Sequence, residues 1–270
     1  MTLWQAIMLG VVQGLTEFLP ISSIAHMRLI SAFWGWTEPG AAFSAAVQLI
    51  AYLAVLIYFW RDCAGMARGM TKGIATPEGK LGWMLIAGTI PISVLGLLFH
   101  KRIEHTWRTL PVIAWALIVL AVVLAFAEWM ERRRKQRGQA LREMGELGWT
   151  DAIVVGCFQV FALVPGASRS GSTITGGLFL GMKRDTAARF SFLLSLPAVA
   201  AAGIFELRKL QRSEILSVFV AGLAAFVVGY GVVVFLLGFL RRHTTWVFII
   251  YRLALGAALL GLLAAGKLAP

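Results

Sequence analysis

LWQAIMLGVVQGLTEFLPISSIAHMRLISAF, residues Leu3–Phe33, is apolar at both ends and polar in the middle; AIVVGCFQVFALVPGASRSGSTITGGLFLG, residues Ala152–Gly181, has the same pattern. Gln13, Thr16, Glu17, Pro20, Ser22, Ser23, His26 and Arg28 break the first, and Gln159, Pro165, Gly166, Ser168, Arg169, Ser170, Ser172 and Thr173 break the second. Proline lacks an N–H and clashes with the preceding turn, so Pro20 and Pro165 should each end one half-helix and leave a bend before the next. Non-helical backbone at membrane depth survives only when buried in protein or lining a wet cavity. Each stretch therefore reads as a re-entrant helical hairpin with its polar tip near the midplane.

Working outward, six further runs are long enough to cross a hydrocarbon core, which takes roughly 17–25 residues: Phe43–Trp60, Gly82–Phe99, Leu110–Met130, Arg189–Leu207, Ile215–Leu240 and Trp246–Gly266. Composition agrees, since 59% of the 270 residues are hydrophobic, 14% are charged and mean hydropathy is +0.79. The fold class expected is an all-α integral membrane protein. A net charge of +12 would suit nucleic acid, but most basic residues lie in short connectors between apolar runs, where anionic headgroups draw them. No nucleic-acid partner is expected. Cys63 and Cys157 have neither metal-ligand spacing nor a disulfide framework. The first basic residue is Arg28, so the basic region that opens a signal peptide is missing and Met1 is expected to begin the mature chain.

The halves resemble each other. Gly10-Val-Val-Gln13 followed by Pro20-Ile-Ser22-Ser23 parallels Gly156-Cys-Phe-Gln159 followed by Pro165-Gly-Ala-Ser168-Arg169-Ser170, at an offset of about 146 residues. Phe43-Ser44 returns as Phe190-Ser191, and Ile86-Ala-Gly88 as Val220-Ala-Gly222. A unit of one hairpin plus three crossings has an odd number of crossings, so its copy must enter inverted, as in many transporters. The expected organisation is one membrane domain with repeat 1 at about 1–131, repeat 2 at about 151–267 and a basic cytoplasmic connector at 132–150. Connectors on one side (Arg61–Lys80, Arg132–Arg142, Lys183–Arg189, Arg241–Arg242) hold 15 Lys and Arg, and those on the other (Lys101–Arg108, Arg208–Arg212, Lys267) hold 7. The first side should be cytoplasmic. Hairpin 1 then opens outward and hairpin 2 inward.

The tips carry the chemistry. Gln13 and Glu17 share a helical face, and an ionisable group inside a membrane segment is functional by default. A carboxylate with a carbonyl one turn away suits a hard divalent cation, Mg²⁺ or Ca²⁺, shared with phosphate oxygens. Of Ser22 and Ser23, one serves as N-cap, leaving the other hydroxyl free, with His26 on the same face as Ser23; such a pair can act as nucleophile and base. His100, His105 and His243 sit at segment ends and are read as structural. In the second tip, Gly166 and Gly171 permit tight turns, N–H groups at the following helix start make an anion site, and Arg169 supplies a bidentate phosphate fork. No nucleotide P-loop pattern is present. Arg252 is read as snorkelling, Glu128 and Glu206 as segment-end charges, and Arg132-Arg-Arg-Lys135 as an anchor.

Gln13-Gly-Leu-Thr-Glu17-Phe-Leu-Pro-Ile-Ser22-Ser23 with His26, together with Pro165-Gly-Ala-Ser168-Arg169-Ser170-Gly-Ser-Thr173, resembles the bacterial undecaprenyl-diphosphate phosphatase, or bacitracin-resistance, family, which carries (E/Q)xxxE and PGxSRSxxT motifs. The resemblance runs over nearly the whole chain. It implies removal of the terminal phosphate of undecaprenyl diphosphate at the bacterial cytoplasmic membrane, with an active site facing the periplasm or cell exterior. It also implies Gln13 and Glu17 at a metal and diphosphate site, Ser23 as nucleophile, His26 as its activating partner and Arg169 as phosphate clamp. Ser22, Ser168, Ser170 and Thr173 then support the substrate. Gln13 stands where many relatives have Glu, which removes one negative charge. Partners implied are the lipid substrate and membrane lipids, with a homodimer as a permitted assembly. The competing class is an inverted-repeat flippase or transporter; a carrier needs no nucleophile, so the Ser23, His26 and Glu17 set favours the enzyme. An anion channel would use a basic ring and leaves Glu17 unexplained.

Overall fold

The computed structural model describes residues 1–37 and 39–268, the side chains of residues 100, 101, 104 and 105 excepted. His100 and His105 thus lie outside the described side chains. The described chain is helical: α1 (Leu3–Glu17), α2 (Ser23–Phe33), α3 (Ala41–Ala51), α4 (Leu53–Tyr58), α5 (Trp60–Met70), α6 (Pro77–His105), α7 (Leu110–Gln136), α8 (Trp149–Val160), α9 (Arg169–Phe179), α10 (Arg184–Leu207), α11 (Ile215–Arg242) and α12 (Trp246–Ala264). Among the described residues six segments are long and apolar enough to cross a membrane: Ala41–Tyr58, Pro77–Phe99, Leu110–Gln136, Arg184–Leu207, Arg212–Arg242 and Trp246–Ala264. Each overlaps a run expected from sequence. The first is jointed at Tyr52, which closes α3 and opens α4.

Both broken stretches fold as helix, bend and helix. α1 stops at Glu17, three residues before Pro20, and α8 gives way to a 3₁₀ turn, Phe161–Leu163, just before Pro165. Capping starts the second arms: Ser22 Oγ accepts from Ala25 N–H and Ser168 Oγ from Gly171 N–H. Both serines hold positive φ, 74° and 68°, which no other described non-glycine residue does. Strain of this kind concentrates where surrounding structure over-determines a functional loop.

Small residues let the hairpins pack at backbone distance. A Cβ at Gly10 would lie 2.2 Å from the Ala221 carbonyl oxygen, and one at Gly156 2.1 Å from that of Gly88. So α1 lies on α11 and α8 on α6, the close approach expected of helices that associate without a hydrophobic drive between them. The opposite faces carry exposed large apolar side chains such as Leu98, Val119, Phe219, Val227 and Ile250, the surface a lipid solvent requires.

Three charged groups differ from their sequence reading. Arg252 does not snorkel: it is fully buried in the middle of α12, because four backbone carbonyls surround its guanidinium. Glu128 is buried rather than loose at a segment end, as is Glu131 one turn on, since α7 continues to Gln136 and packs against Arg184, whose guanidinium bonds both carboxylates. Thr245 Oγ1 adds a 2.7 Å bond to Glu128. Arg134, read as part of an anchor, donates to the carbonyls of Leu178 and Phe179 and so satisfies the open end of α9.

Candidate active site

The bends after Glu17 and Val160 bring the two polar tips face to face. Ser170 Oγ donates to the Leu19 carbonyl across the gap, 3.0 Å away, and Arg169 forms an ion pair with Glu17 Oε1. Glu17 is the hub. Its Oε2 accepts from Gln13 Nε2 at 2.7 Å and from Ser23 Oγ at 2.6 Å, while Oε1 accepts from Gln48 Nε2 at 2.5 Å as well as from Arg169. Four donors on two oxygens fill the carboxylate's capacity. Such saturation, one donor being cationic, is what allows a charge to remain buried.

Arg169 is fixed from two sides. Its guanidinium stacks over the Tyr52 ring, 4.7 Å from the centroid, a cation–π contact that strengthens when desolvated. Its Nε is buried with no hydrogen-bond partner, so one arm of the fork is open to an incoming acceptor. Thr173 Oγ1 bonds the Arg169 carbonyl at 2.8 Å and Ser191 Oγ at 2.5 Å. Ser168 Oγ and Ser170 Oγ lie 3.2 Å apart.

His26 and Ser23 are not brought together in this structure. The His26 Nδ1–H donates to the Ser22 carbonyl at 2.7 Å, and Nε2 lies 2.6 Å from the Tyr251 hydroxyl, with the two rings stacked. The reason is local: a residue four positions into a helix reaches back to the carbonyl of the N-cap, here Ser22, so the imidazole turns along the helix while Ser23 Oγ turns toward Glu17. The partner of Ser23 is therefore Glu17.

Above the hub a cavity of about 570 Å³ extends between α3, α6 and α10. It is lined by polar Gln13, Glu17, Ser22, Ser23, Ser168 and Arg169 of the tips, by apolar Ile92, Leu97, Leu163, Ala198 and Ile204 among others, and by charged Arg108, Glu206 and Arg208 at and beyond the last turns of α6 and α10. These three charged residues fall on the side expected to face outward. A phosphate held at the tips would thus have apolar walls beside it.

Among the described residues no group of three or more His, Cys, Asp or Glu side chains forms a metal cage. Glu17 and the Gln13 carbonyl, which the Gln13 to Glu17 bond leaves unused, are hard oxygen donors of the kind Mg²⁺ accepts alongside substrate phosphates and water. Gln48 and Tyr52 escaped the sequence reading because they sit on a neighbouring apolar helix with no motif. A polar residue within Phe43–Trp60 was the available signal for Gln48.

Two half-helix tips meeting over a buried carboxylate and guanidinium, inside a bundle of apolar crossings, define a polytopic membrane protein built to handle a phosphorylated lipid. The chain belongs to the family described as bacitracin resistance protein BacA, whose model matches residues 6–258. It is similar to the undecaprenyl-diphosphatase of Chlorobium phaeobacteroides (strain BS1), 52% identical over 280 residues and 99% of each chain. The undecaprenyl-diphosphatases of Prosthecochloris aestuarii, 50% identical over 99% of each chain, and of Chlorobium phaeovibrioides, 52% identical over 100% of each, agree with it.

Proposed function

We infer that this chain is an undecaprenyl-diphosphatase: it removes the terminal phosphate of undecaprenyl diphosphate and releases undecaprenyl phosphate, the lipid carrier recycled in cell-wall synthesis. The observation that carries the chemistry is the 2.6 Å bond from Ser23 Oγ to the Glu17 carboxylate. A hydroxyl already donating to a carboxylate can lose its proton there as it attacks. Glu17 rather than His26 is then the general base, and His26 orients the Ser22 carbonyl and the start of α2.

The step balances simply. Ser23 Oγ attacks the terminal phosphorus, its proton passes to Glu17, and the bridging P–O bond breaks so that undecaprenyl phosphate leaves with those electrons. Glu17 gives that proton up to solvent, then takes one from the water that attacks the phosphoserine and returns it to Ser23 Oγ as the P–Oγ bond breaks and phosphate leaves. Arg169 swings from Glu17 toward the transferring phosphoryl group, where its fork meets charge that grows in the transition state. Ser168, Ser170, Thr173 and Ser22 hold the surrounding backbone and phosphate oxygens. A divalent cation, Mg²⁺ or Ca²⁺, would be held by Gln13 and by Glu17 once Arg169 has turned away, and would neutralise diphosphate charge.

The apolar cavity walls favour a substrate whose tail stays in hydrocarbon, and the lining by residues of the connectors after α6 and α10, on the side expected to face outward, supports an active site open to the periplasm or cell exterior of the cytoplasmic membrane. The crosswise packing of α1 on α11 and α8 on α6, with a positive-φ serine cap in each tip, supports two inverted repeats, about 1–131 and 151–267, joined by 132–150. Phosphate release from purified, detergent-solubilised protein tests the activity. A long prenyl diphosphate should give a far higher kcat/KM than inorganic diphosphate, and chelation of divalent cations should stop turnover. Equal kcat/KM for the two substrates would reject the lipid site.

A further inference from the structure

Arg252 lies in the middle of α12, outside both tip motifs, yet its side chain ends between the tips. Its Nη2 donates to the Ala167 carbonyl at 2.9 Å and the Ala116 carbonyl at 3.4 Å, its Nη1 to the Pro20 carbonyl at 3.3 Å, and its Nε to the Leu117 carbonyl at 3.3 Å. Pro20 precedes Ser22 and Ser23 by two and three residues, and Ala167 immediately precedes Ser168 and Arg169. One guanidinium therefore holds the carbonyls of both bends against α7. Gly171, at the first turn of α9, makes room for it: a Cβ there would lie 2.6 Å from Arg252 Nη1.

We propose that Arg252 is a positioning residue for the phosphatase reaction, fixing the two re-entrant tips relative to one another so that the Ser23 and Glu17 pair and Arg169 converge on one phosphoryl group. The argument rests on geometry and on capacity. Bends at membrane depth leave carbonyls without helical partners, and each such group left unmet is costly. A serine hydroxyl satisfies one carbonyl at a time, as Ser170 does at Leu19. A planar five-donor fork is the side chain that can satisfy carbonyls from four places at once, and here those places belong to hairpin 1, hairpin 2 and α7. Of the other links across the tips among the described residues, Ser170 to the Leu19 carbonyl is a single bond and Arg169 to Glu17 is one that the reaction must break. Arg252 is the multiple link that stays when Arg169 turns to substrate.

The proposal rests on the phosphatase reading, and its test has one readout that does not. Arg252→Lys keeps the charge but offers a single point of donation, and Arg252→Met keeps length without donors. Both full-length variants are purified in detergent and compared with the wild type for monodispersity, for hydrogen exchange of peptides covering residues 18–24 and 164–171, and for steady-state hydrolysis of a long prenyl diphosphate. Tip amides should exchange about tenfold faster or more in both variants, while α11 keeps its protection. kcat per folded molecule should fall about 10²-fold, with KM within about threefold, because misplacement of reacting groups by about 1 Å has that effect. Arg252→Lys turning over near the wild-type rate would overturn the proposal, as would losses that only follow the folded fraction or unchanged exchange at the tips. Should the wild type itself release no phosphate, the phosphatase reading fails while the exchange data still report on the clamp.

Discussion

Glu17→Gln isolates the hub of the site, because it keeps size and shape while removing the charge. The carboxylate accepts from Gln13, Ser23, Gln48 and Arg169. An amide has one acceptor oxygen and one N–H₂, so two of these four donors would face another donor. The Arg169 side chain, 12% exposed, would be left as a buried cation without its anion. Removing one partner of a buried pair costs about 3–5 kcal/mol. Spread over a chain of this size, that corresponds to a fall in Tm on the order of 10 °C. Turnover should suffer separately, by about 10²–10⁴-fold, through loss of the base.

The two effects can be separated by adding Arg169→Met. With the orphaned cation gone, the double variant should recover much of the lost thermal stability and none of the lost turnover. Thermal unfolding in detergent and phosphate release from a long prenyl diphosphate are the two assays. Glu17→Gln working within about tenfold of the wild-type kcat would remove Glu17 from the role of base, and a double variant no more stable than the single one would show that the pair is not what holds the tips.

Further outcomes follow from the same geometry. Ser23→Ala should abolish the covalent route, whereas His26→Ala, whose ring contacts Ser22 and Tyr251 rather than Ser23, should lose no more than about 10²-fold; a phosphorylated His26 trapped in Ser23→Ala would reverse the two roles. Arg169→Lys keeps the charge without the fork and should lose most of kcat while still folding; near-normal turnover would reduce Arg169 to a structural role. Impermeant thiol reagent on intact cells should label a cysteine placed in the Lys101–Arg108 connector and miss one in Arg132–Arg142. Native Cys63 should give little background, since burial and then Asp62 push its thiol up, leaving less thiolate to react. Gly156→Ala forces a Cβ against the Gly88 carbonyl and should destabilise by about 1–3 kcal/mol, whereas Gly238→Ala, with nothing within 4 Å of its Cβ, should be neutral or stabilising by up to about 1 kcal/mol; equal losses at the two positions would contradict the backbone-distance packing.

What could be read from the chain alone was whatever local chemistry dictates. Six apolar runs have no stable place but a membrane, and Pro20 and Pro165 break two more because no context restores a proline's missing N–H. Gln13, Glu17, Ser23 and Arg169 stood out because polar groups inside apolar stretches demand an explanation, and the motifs around them are dense and short. Pairing was a different matter, because it depends on which way each side chain turns and on helices distant in sequence. Spacing allowed Ser23 to meet His26, yet the cap at Ser22 draws the imidazole back along α2 and leaves Ser23 to Glu17. Gln48, Tyr52 and Arg252 lie 31, 117 and 85 residues from the groups they hold, Glu17, Arg169 and Ala167. Arg252 read as a snorkelling residue because it lies near the inner end of the last apolar run. Only the packed bundle, by placing two bent hairpins and their unpaired carbonyls around it, gives that buried charge its partners.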